Sequence, residues 1–573
     1  MIATPFTFYF HFSGLKWGTP NVERTSAIFK SEAEIESFIP RMMELRQNYY
    51  KSVEAVVDPK QPFRENYRKA YQRHSMISPF ALIPTDGVLD QIRGYLIGVD
   101  NSDEQNTLIA LTQLKSILKA NFIPSFATFY YGGSYLFLCG ALAGLGKITG
   151  FLTLTPNIDF YFTHPEEIQK MYFLLRAIGP VVLFLSAVFL LLTLKRRYSL
   201  PTAILGVIFY LWQPGWIYYG HSAKPHVFAA ALLTIGLFFC VKILTKPGLK
   251  DYLCAGLVFG ACAGSLVVNI PIIAMLFLSE FMRLDYNWRE FFRSKPMWLG
   301  TGVFVLVYLI TNFHFFIYFQ QFRRLLMAWQ EFGTGYGHLI FANIPLYLKD
   351  IWTAQIPWFF IPMITLGMLI SLKKREKLGI LCLMSWITLF SIDLISTRHW
   401  GVNLRTIPFY AVFFTIAIQW LLETKNQLLR GLSLAYITTA LTLSAIQCDF
   451  YVSQFRSPMT IEEPSSWINS NIPKESSIGI INGSFGPASL SAFRFLDYDL
   501  VNFPSKEPPI QPKFTDLPRY VVLNGEPSSE FIEDTVGNFY RLKAIWPRRK
   551  ALFGLTFRLI WDNAGPVRVY EKI

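Results

Sequence analysis

Arg176–Arg197 reads RAIGPVVLFLSAVFLLLTLKRR: one arginine, a run without a charge, then three cations in a row. A helix crossing the hydrocarbon core of a bilayer needs about 20 apolar residues, so this stretch predicts a membrane span near Phe173–Leu194. Short basic loops face the cytoplasm, so Lys195-Arg196-Arg197 also gives the span a direction. Further candidate spans lie near Pro201–Tyr219, Val227–Leu244, Tyr252–Val268, Pro271–Met282, Met297–Tyr318, Pro357–Leu372, Leu378–Ile395, Thr406–Leu422 and Gly431–Phe450. The basic groups Lys242/Lys246/Lys250, Arg283/Arg289/Arg293/Lys295, Lys373-Lys374-Arg375 and Lys425/Arg430 recur at every second turn, and the alternation never slips. The segment before Phe173 and the tail from Tyr451 to Ile573 are therefore predicted on the external side. An N-terminal helix would bring the total to about eleven spans, although Ile2–Gly14 rises only about 20 Å at the helical pitch.

Composition agrees with a membrane core. Of 573 residues, 52% are hydrophobic and only 16% charged, against roughly a quarter charged in soluble domains. Mean hydropathy is +0.32. The net charge of +14 does not point to nucleic acid, because the cations sit in short loops where they set orientation. The six cysteines lie in or beside apolar stretches without metal-type spacing, so neither a disulfide framework nor a zinc site is expected.

Tyr130–Leu154 (YYGGSYLFLCGALAGLGKITGFLTL) is long enough to cross, yet a crossing there would put Phe173 on the wrong side. It is predicted as an interfacial or re-entrant helix, with an ordinary span as the alternative. The chain is thus expected to be mainly α: a polytopic transmembrane helical bundle at 1–450, with a first external loop of surface helices at 15–154 and a small external α/β domain at 451–573. In that tail Trp467–Pro473 reads as a helix and its end, and Ser477–Asn482, Tyr520–Leu523, Phe539–Ala544 and Val567–Glu571 alternate like strands. Lys60–Arg73 reads as an exposed basic helix.

No dinucleotide fingerprint, Walker loop, HExxH or GxSxG is present. Chemistry outside the cytoplasm needs its activated group delivered by the bilayer, and a polyprenyl-phosphate sugar does this. Its transfer calls for a carboxylate base and for cations facing the phosphate leaving group. Asp103-Glu104, heading an amphipathic run in the first external loop, is the catalytic candidate. The competing role for Asp103 is to cap that helix, with Ser102 as its rival; Asp86, Asp90 and Asp100 are nearby acids. Cations gather at two external turns, His221/Lys224/His226 and Arg398/His399/Arg405, with Arg176 at the outer end of its span. They are phosphate-binding candidates, set against simple snorkelling to lipid headgroups. Tyr130, Tyr131, Trp329, Tyr336 and His338 are sugar-stacking candidates, for which a membrane-interface aromatic belt is the plainer role.

These motifs, in this order and on these sides, resemble the GT-C superfamily of integral membrane glycosyltransferases, which includes the protein O-mannosyltransferase and aminoarabinose-transferase branches. SDEQNTLIAL and FIPSFATFYYGGSYLF look like its first external loop, and RAIGPVVLFLSAVFLLLTLKRR like its second span. GHSAKPH looks like the next external turn, RHWGVNLRTIPFY like its late Arg–x–x–Pro segment, and WINSNIPKESSIGII like the start of its C-terminal domain. The resemblance covers most of the chain. It implies a polyprenyl-phosphate donor, Asp103 or Glu104 as base or acceptor-positioning group, and cations such as Lys224 and Arg405 facing the phosphate. Some members use a divalent cation near the acidic motif. No metal set is assigned here; Asp103, Glu104 and His221 are the residues that would hold one. The expected partners are membrane lipids, the lipid-linked donor and an acceptor that is a glycan, lipid or protein. The expected location is a bacterial inner membrane, N-terminus cytoplasmic and C-terminal domain periplasmic. A ligase or polymerase of lipid-linked glycans, and a transporter without covalent chemistry, are the competing functions.

Overall fold

A computed structural model describes residues 3–54, 61, 78–112, 131–320, 322–323, 344–345, 348, 351–395, 400–456, 462–483, 485–487, 489–508, 513–525, 529–547 and 566–573. The basic stretch 60–73 falls outside them apart from residue 61.

Among the described residues, five helices are long and apolar enough to cross a membrane: Pro165–Lys195, Pro225–Thr245, Lys295–Ile317, Asn403–Leu422 and Gln427–Arg456. The pair Leu200–Leu211 and Pro214–Gly220, bent by 49°, makes a sixth if taken as one span. The chain is an integral membrane protein. About eleven spans were expected, and length and composition alone do not reach that number. The physical reason is that several apolar runs are short or broken: Ala3–Phe12 has 10 residues, Leu249–Ser265 has 17, and Ala274–Arg283 is reached through a 3-10 turn over Val267–Ile273. Seven helices carry proline in their first turn, among them Pro165, Pro214, Pro225 and Pro408, where the missing N–H would have no partner anyway.

Bundle contacts rest on small residues. Gly256, Gly260 and Gly264 lie one turn apart on Leu249–Ser265. A Cβ on Gly256 would stand 2.0 Å from the Gly300 carbonyl, and one on Gly260 2.8 Å from that of Phe304. Lipid offers no hydrophobic drive for helix association, so this close backbone approach is what binds the pair.

The turns collect at two ends. Tyr198 Oη donates to Glu376 Oε1 at 2.9 Å, Ser199 N to Gln419 Oε1 at 3.3 Å, and Lys377 Nζ pairs with Asp285 at 3.1 Å, so the lysine-rich turns meet at one end. The Pro225–Thr245 helix has 21 residues and leads about 30 Å to the other end. There Gly132 N donates to Ser265 O at 2.9 Å, Arg405 reaches Val268 O at 2.9 Å, and the His221 ring stacks on Phe455. The helix Gly133–Ile148 starts against Gly264 and Thr311 and finishes at Gly146 against Leu152 and Leu174. Thr153 N then donates to Glu167 Oε2 at 2.6 Å. Both ends of this helix thus abut the same end of its neighbours, the packing of a helix laid across the bundle rather than through it.

Above that end sits a mixed five-stranded sheet in the order β2-β1-β3-β5-β4, with β1 Ser477–Ile481, β2 Asp499–Phe503, β3 Tyr520–Asn524, β4 Tyr540–Trp546 and β5 Val567–Lys572. β1 pairs in parallel with β2 and β3, whereas β5 runs antiparallel to β3 and β4. The first loop completes the sheet. Leu82 bridges antiparallel to Val501, Ile83 N donates to Leu500 O at 2.7 Å and Asn502 N to Ala81 O at 2.9 Å, covering the free edge of β2. The helices Glu32–Glu54 and Thr85–Ile97 bury Met42, Ile92 and Leu96 in one core with Ile468, Ile478, Leu500 and Val569. Ile92 is fully buried there. Ile92→Ala should therefore cost about 2–5 kcal/mol, and in pulse proteolysis the first loop and the sheet should become susceptible together.

Candidate active site

The acidic pair sits on a 3-10 turn, Ser102–Glu104, ahead of the helix Gln105–Thr112. Its two members have different surroundings. The Glu104 carboxylate is fully buried and takes a two-pronged pair from Arg176, Nε to Oε2 at 2.8 Å and Nη2 to Oε1 at 3.0 Å. The backbone N–H of Ala223 adds a third donor at 2.8 Å. Arg176 is also fully buried and spends Nη1 on the carbonyls of Leu15 and Trp17, at 2.8 and 2.6 Å. A planar guanidinium with five donors in a fixed fork suits such a knot. One residue near the top of the Pro165–Lys195 helix thus pins the first loop at Leu15, Trp17 and Glu104.

Asp103 faces the other way. Its Oδ2 accepts from Lys224 Nζ at 2.8 Å, and its side chain keeps 33% of its surface exposed while that of Lys224 keeps 4%. The carboxylate goes to Lys224, not to a backbone N–H of the following helix, so the capping role is not the one realised. Docking of the acidic turn on the 221–224 turn is continued by Asn101 Nδ2 to Ser222 Oγ at 3.1 Å and Thr107 Oγ1 to Ala223 O at 2.7 Å. Behind the turn, Arg24 pairs with Asp100 at 2.8 Å, and Asp100 crowds Gly18, whose φ is +58°. Burial pushes the Asp100 carboxyl up to about 6, against the pull of Arg24.

The remaining candidates sort by position. His221 is buried, its Nδ1 2.6 Å from Ile217 O and its Nε2 2.8 Å from Ser13 O, and burial lowers its pKa to about 4. It ties the first helix to the turn instead of facing the acidic pair. Arg405 is buried against Val268 O and, at 2.7 Å, Asn269 Oδ1, where it caps the broken helix over Val267–Ile273. Tyr131 is buried beneath the turn and donates to Asp103 O at 3.5 Å. Tyr130, Trp329, Tyr336, His338, Arg398 and His399 lie outside the described residues.

A divalent cation does not fit these donors. Among the described residues no three of His, Cys, Asp and Glu converge. Glu104 is fully engaged by Arg176 and Ala223, and both His221 nitrogens face carbonyls. The residues that sequence reasoning missed are the clamps: Leu15, Trp17, Ala223, Arg24 and Thr107. Four of the five act through backbone groups or a hydroxyl, which carry no local signal. Arg24 acts through its charge, yet nothing local tells it from an exposed cation; only the fold buries it to 1% exposure.

No family model matches the chain, and neither does any curated protein. Solved structures do. The archaeal oligosaccharyltransferase AglB of Archaeoglobus fulgidus, in complex with an inhibitory peptide and a dolichol-phosphate, is 14% identical over 65% of this chain, with a TM-score of 0.40. The chain spans 54% of the length of that protein. ArnT of Cupriavidus metallidurans is 10% identical over 82% of this chain and 93% of its own, at TM-scores of 0.42 in the apo state and 0.40 bound to undecaprenyl phosphate.

Proposed function

We propose that this chain is a glycosyltransferase that moves a sugar from a polyprenyl-phosphate donor to an acceptor at the membrane face opposite the lysine-rich turns. The observation that carries this is the unequal acidic pair: a buried Glu104–Arg176 knot holding a half-exposed Asp103 against a buried Lys224. In the proposed reaction Asp103 accepts the proton of an acceptor hydroxyl as its oxygen attacks the anomeric carbon. The bond from that carbon to the phosphate oxygen breaks, and the polyprenyl phosphate leaves with its charge held by Lys224. A positioned general base contributes roughly 10²–10⁴-fold, and a charge-assisted bond to the leaving phosphate lowers the barrier where charge develops.

The cytoplasmic side is assigned to the lysine-rich end, as the orientation rule directs. That makes about eleven spans when the short and broken helices are counted, with the C-terminal domain periplasmic in a bacterial inner membrane. The transmembrane part is taken as 1–450 and the external domain as 451–573, locked to each other through the first loop. Arg398 and His399 are proposed to join Lys224 at the donor phosphate, and Tyr130, Trp329, Tyr336 and His338 to stack on sugar; Tyr131 supports the acidic turn. Donor sugar and acceptor class are left open.

Lys224→Gln tests the phosphate assignment. KM for a polyprenyl-phosphate sugar should rise about tenfold or more, because the contact already holds the bound donor, and kcat should fall as well, because the charge facing Lys224 grows in the transition state. An unchanged KM across a panel of donors would remove Lys224 from the site.

A further inference from the structure

At the lysine-rich end the chain leaves Ala274–Arg283 through Asp285 and Tyr286, both in the left-handed region with φ of 47° and 67°. This turn throws the short helix Trp288–Arg293 (WREFFR) back along the bundle. Phe291 is buried against Phe277 and Phe281, and this leaves Trp288 and Phe292 stacked together on the outside, each 60% exposed. Tyr286 and Trp298 are exposed beside them. The patch does not stand alone. It continues upward into Leu299, Leu306 and Ile310, exposed on the outer face of Lys295–Ile317, which is apolar enough to span and only 28% buried over its most apolar window. A surface continuous with a lipid-facing helix lies at the depth of the lipid headgroups, where tryptophan and tyrosine collect.

Its charges are one-sided. Arg289, Arg293 and Lys295 are exposed and make no ion pair among the described residues. Of the nearby acids, Glu280 is buried under Arg283, Tyr252 and Ser294 and Asp285 pairs with Lys377, which leaves exposed Glu290, bonded by Asn287 Nδ2 at 3.3 Å, against three cations. Lys295 even opens a helix, where the dipole disfavours a cation. Helix stability therefore does not explain its place.

We propose that Tyr286–Trp298 is a binding site for anionic phospholipid headgroups of the leaflet at the lysine-rich end. Trp288 and Phe292 enter the acyl boundary, and Arg289, Arg293 and Lys295 take the phosphate and the net negative charge. Polybasic segments beside a membrane gain from each cation, and neighbouring aromatics fix the depth at which they act.

Native mass spectrometry of the full chain in detergent, titrated with phosphatidylglycerol or phosphatidylcholine, tests this. The wild type should retain phosphatidylglycerol in preference. Arg289→Gln/Arg293→Gln/Lys295→Gln should weaken phosphatidylglycerol binding about tenfold or more, leave phosphatidylcholine unchanged, and unfold at the wild-type temperature, since none of the three makes an ion pair among the described residues. Trp288→Ala/Phe292→Ala should weaken both lipids. The neighbouring basic turn provides the control: Lys373→Gln/Lys374→Gln/Arg375→Gln should stay within about twofold of wild type. Wild-type phosphatidylglycerol binding by the first triple variant, an equal loss in the control, or no effect of the aromatic pair would each overturn the proposal.

Discussion

Asp103→Asn should leave the chain folded and reduce sugar transfer by roughly 10²–10⁴-fold, the usual contribution of a positioned general base. The substitution keeps the size and shape of the side chain and removes its ability to take a proton, together with the charge that faces Lys224. The side chain is 33% exposed and, among the described residues, its partner is Lys224. Lys224 is buried and loses its counter-charge, but the site is open to water on the Asp103 side, so the melting temperature should fall less than when a fully buried pair is broken. Because the loss falls on the chemical step, kcat should drop while KM for the donor stays within a small factor. A ligase that needs no base would keep its activity in the same variant, which separates the two enzymatic functions. A melting temperature well below wild type would mean that Asp103 is structural and that its activity loss carries no mechanistic meaning.

Glu104→Gln, one residue on, should behave in the opposite way. It leaves the Arg176 guanidinium fully buried without its counter-charge, and breaking a buried pair from one side costs about 3–5 kcal/mol. The first loop should come free at Leu15 and Trp17, whose carbonyls depend on Arg176 being held in place. Expression and thermal stability should fall sharply, and activity with them. Glu104→Leu/Arg176→Met, which removes both charges, should recover much of the stability, since apolar replacement of a buried pair is often neutral. Thermal unfolding in detergent reads both results. If the double variant is recovered in stability and retains transfer, Glu104 and Arg176 act only as scaffold.

Much of this was legible in the sequence because single charges are strong signals in an apolar chain. Arg176 at the head of an apolar run, and lysines at alternate turns, gave the bundle its two ends, and the contacts at Tyr198, Lys377 and His221 gather accordingly. Four of the five strands stood out as alternating runs. β2 did not: it opens on exposed Asp499 and carries Asn502, whose Nδ2 bonds Ser78 O, so its pattern answers to the first loop and not to its own alternation. The same cause hid the shared core. Gln91 donates to the Gly483 carbonyl from 392 positions away, and no local periodicity reports such a pairing. At the candidate site the sequence named Asp103, Glu104, Lys224 and Arg176, which the fold brings into two ion pairs, but it could not divide the partners between them. Asp103 and Glu104 are indistinguishable as letters, and only the fold sends one to a buried arginine and the other to an open lysine. His221 and Arg405 looked like ligands because they are basic residues on turns between apolar runs, yet their side chains meet carbonyls left over where helices end.

The most direct measurement follows a radiolabelled sugar on polyprenyl phosphate, presented with crude envelope acceptors to purified wild type and to Asp103→Asn protein of equal thermal stability. Wild type should move label from the lipid phase to an acceptor, and Asp103→Asn should leave it on the lipid. Transfer at the same rate by both proteins would contradict the assignment of Asp103, and label that stays on the lipid with wild type, for every sugar tried, would contradict the enzyme itself.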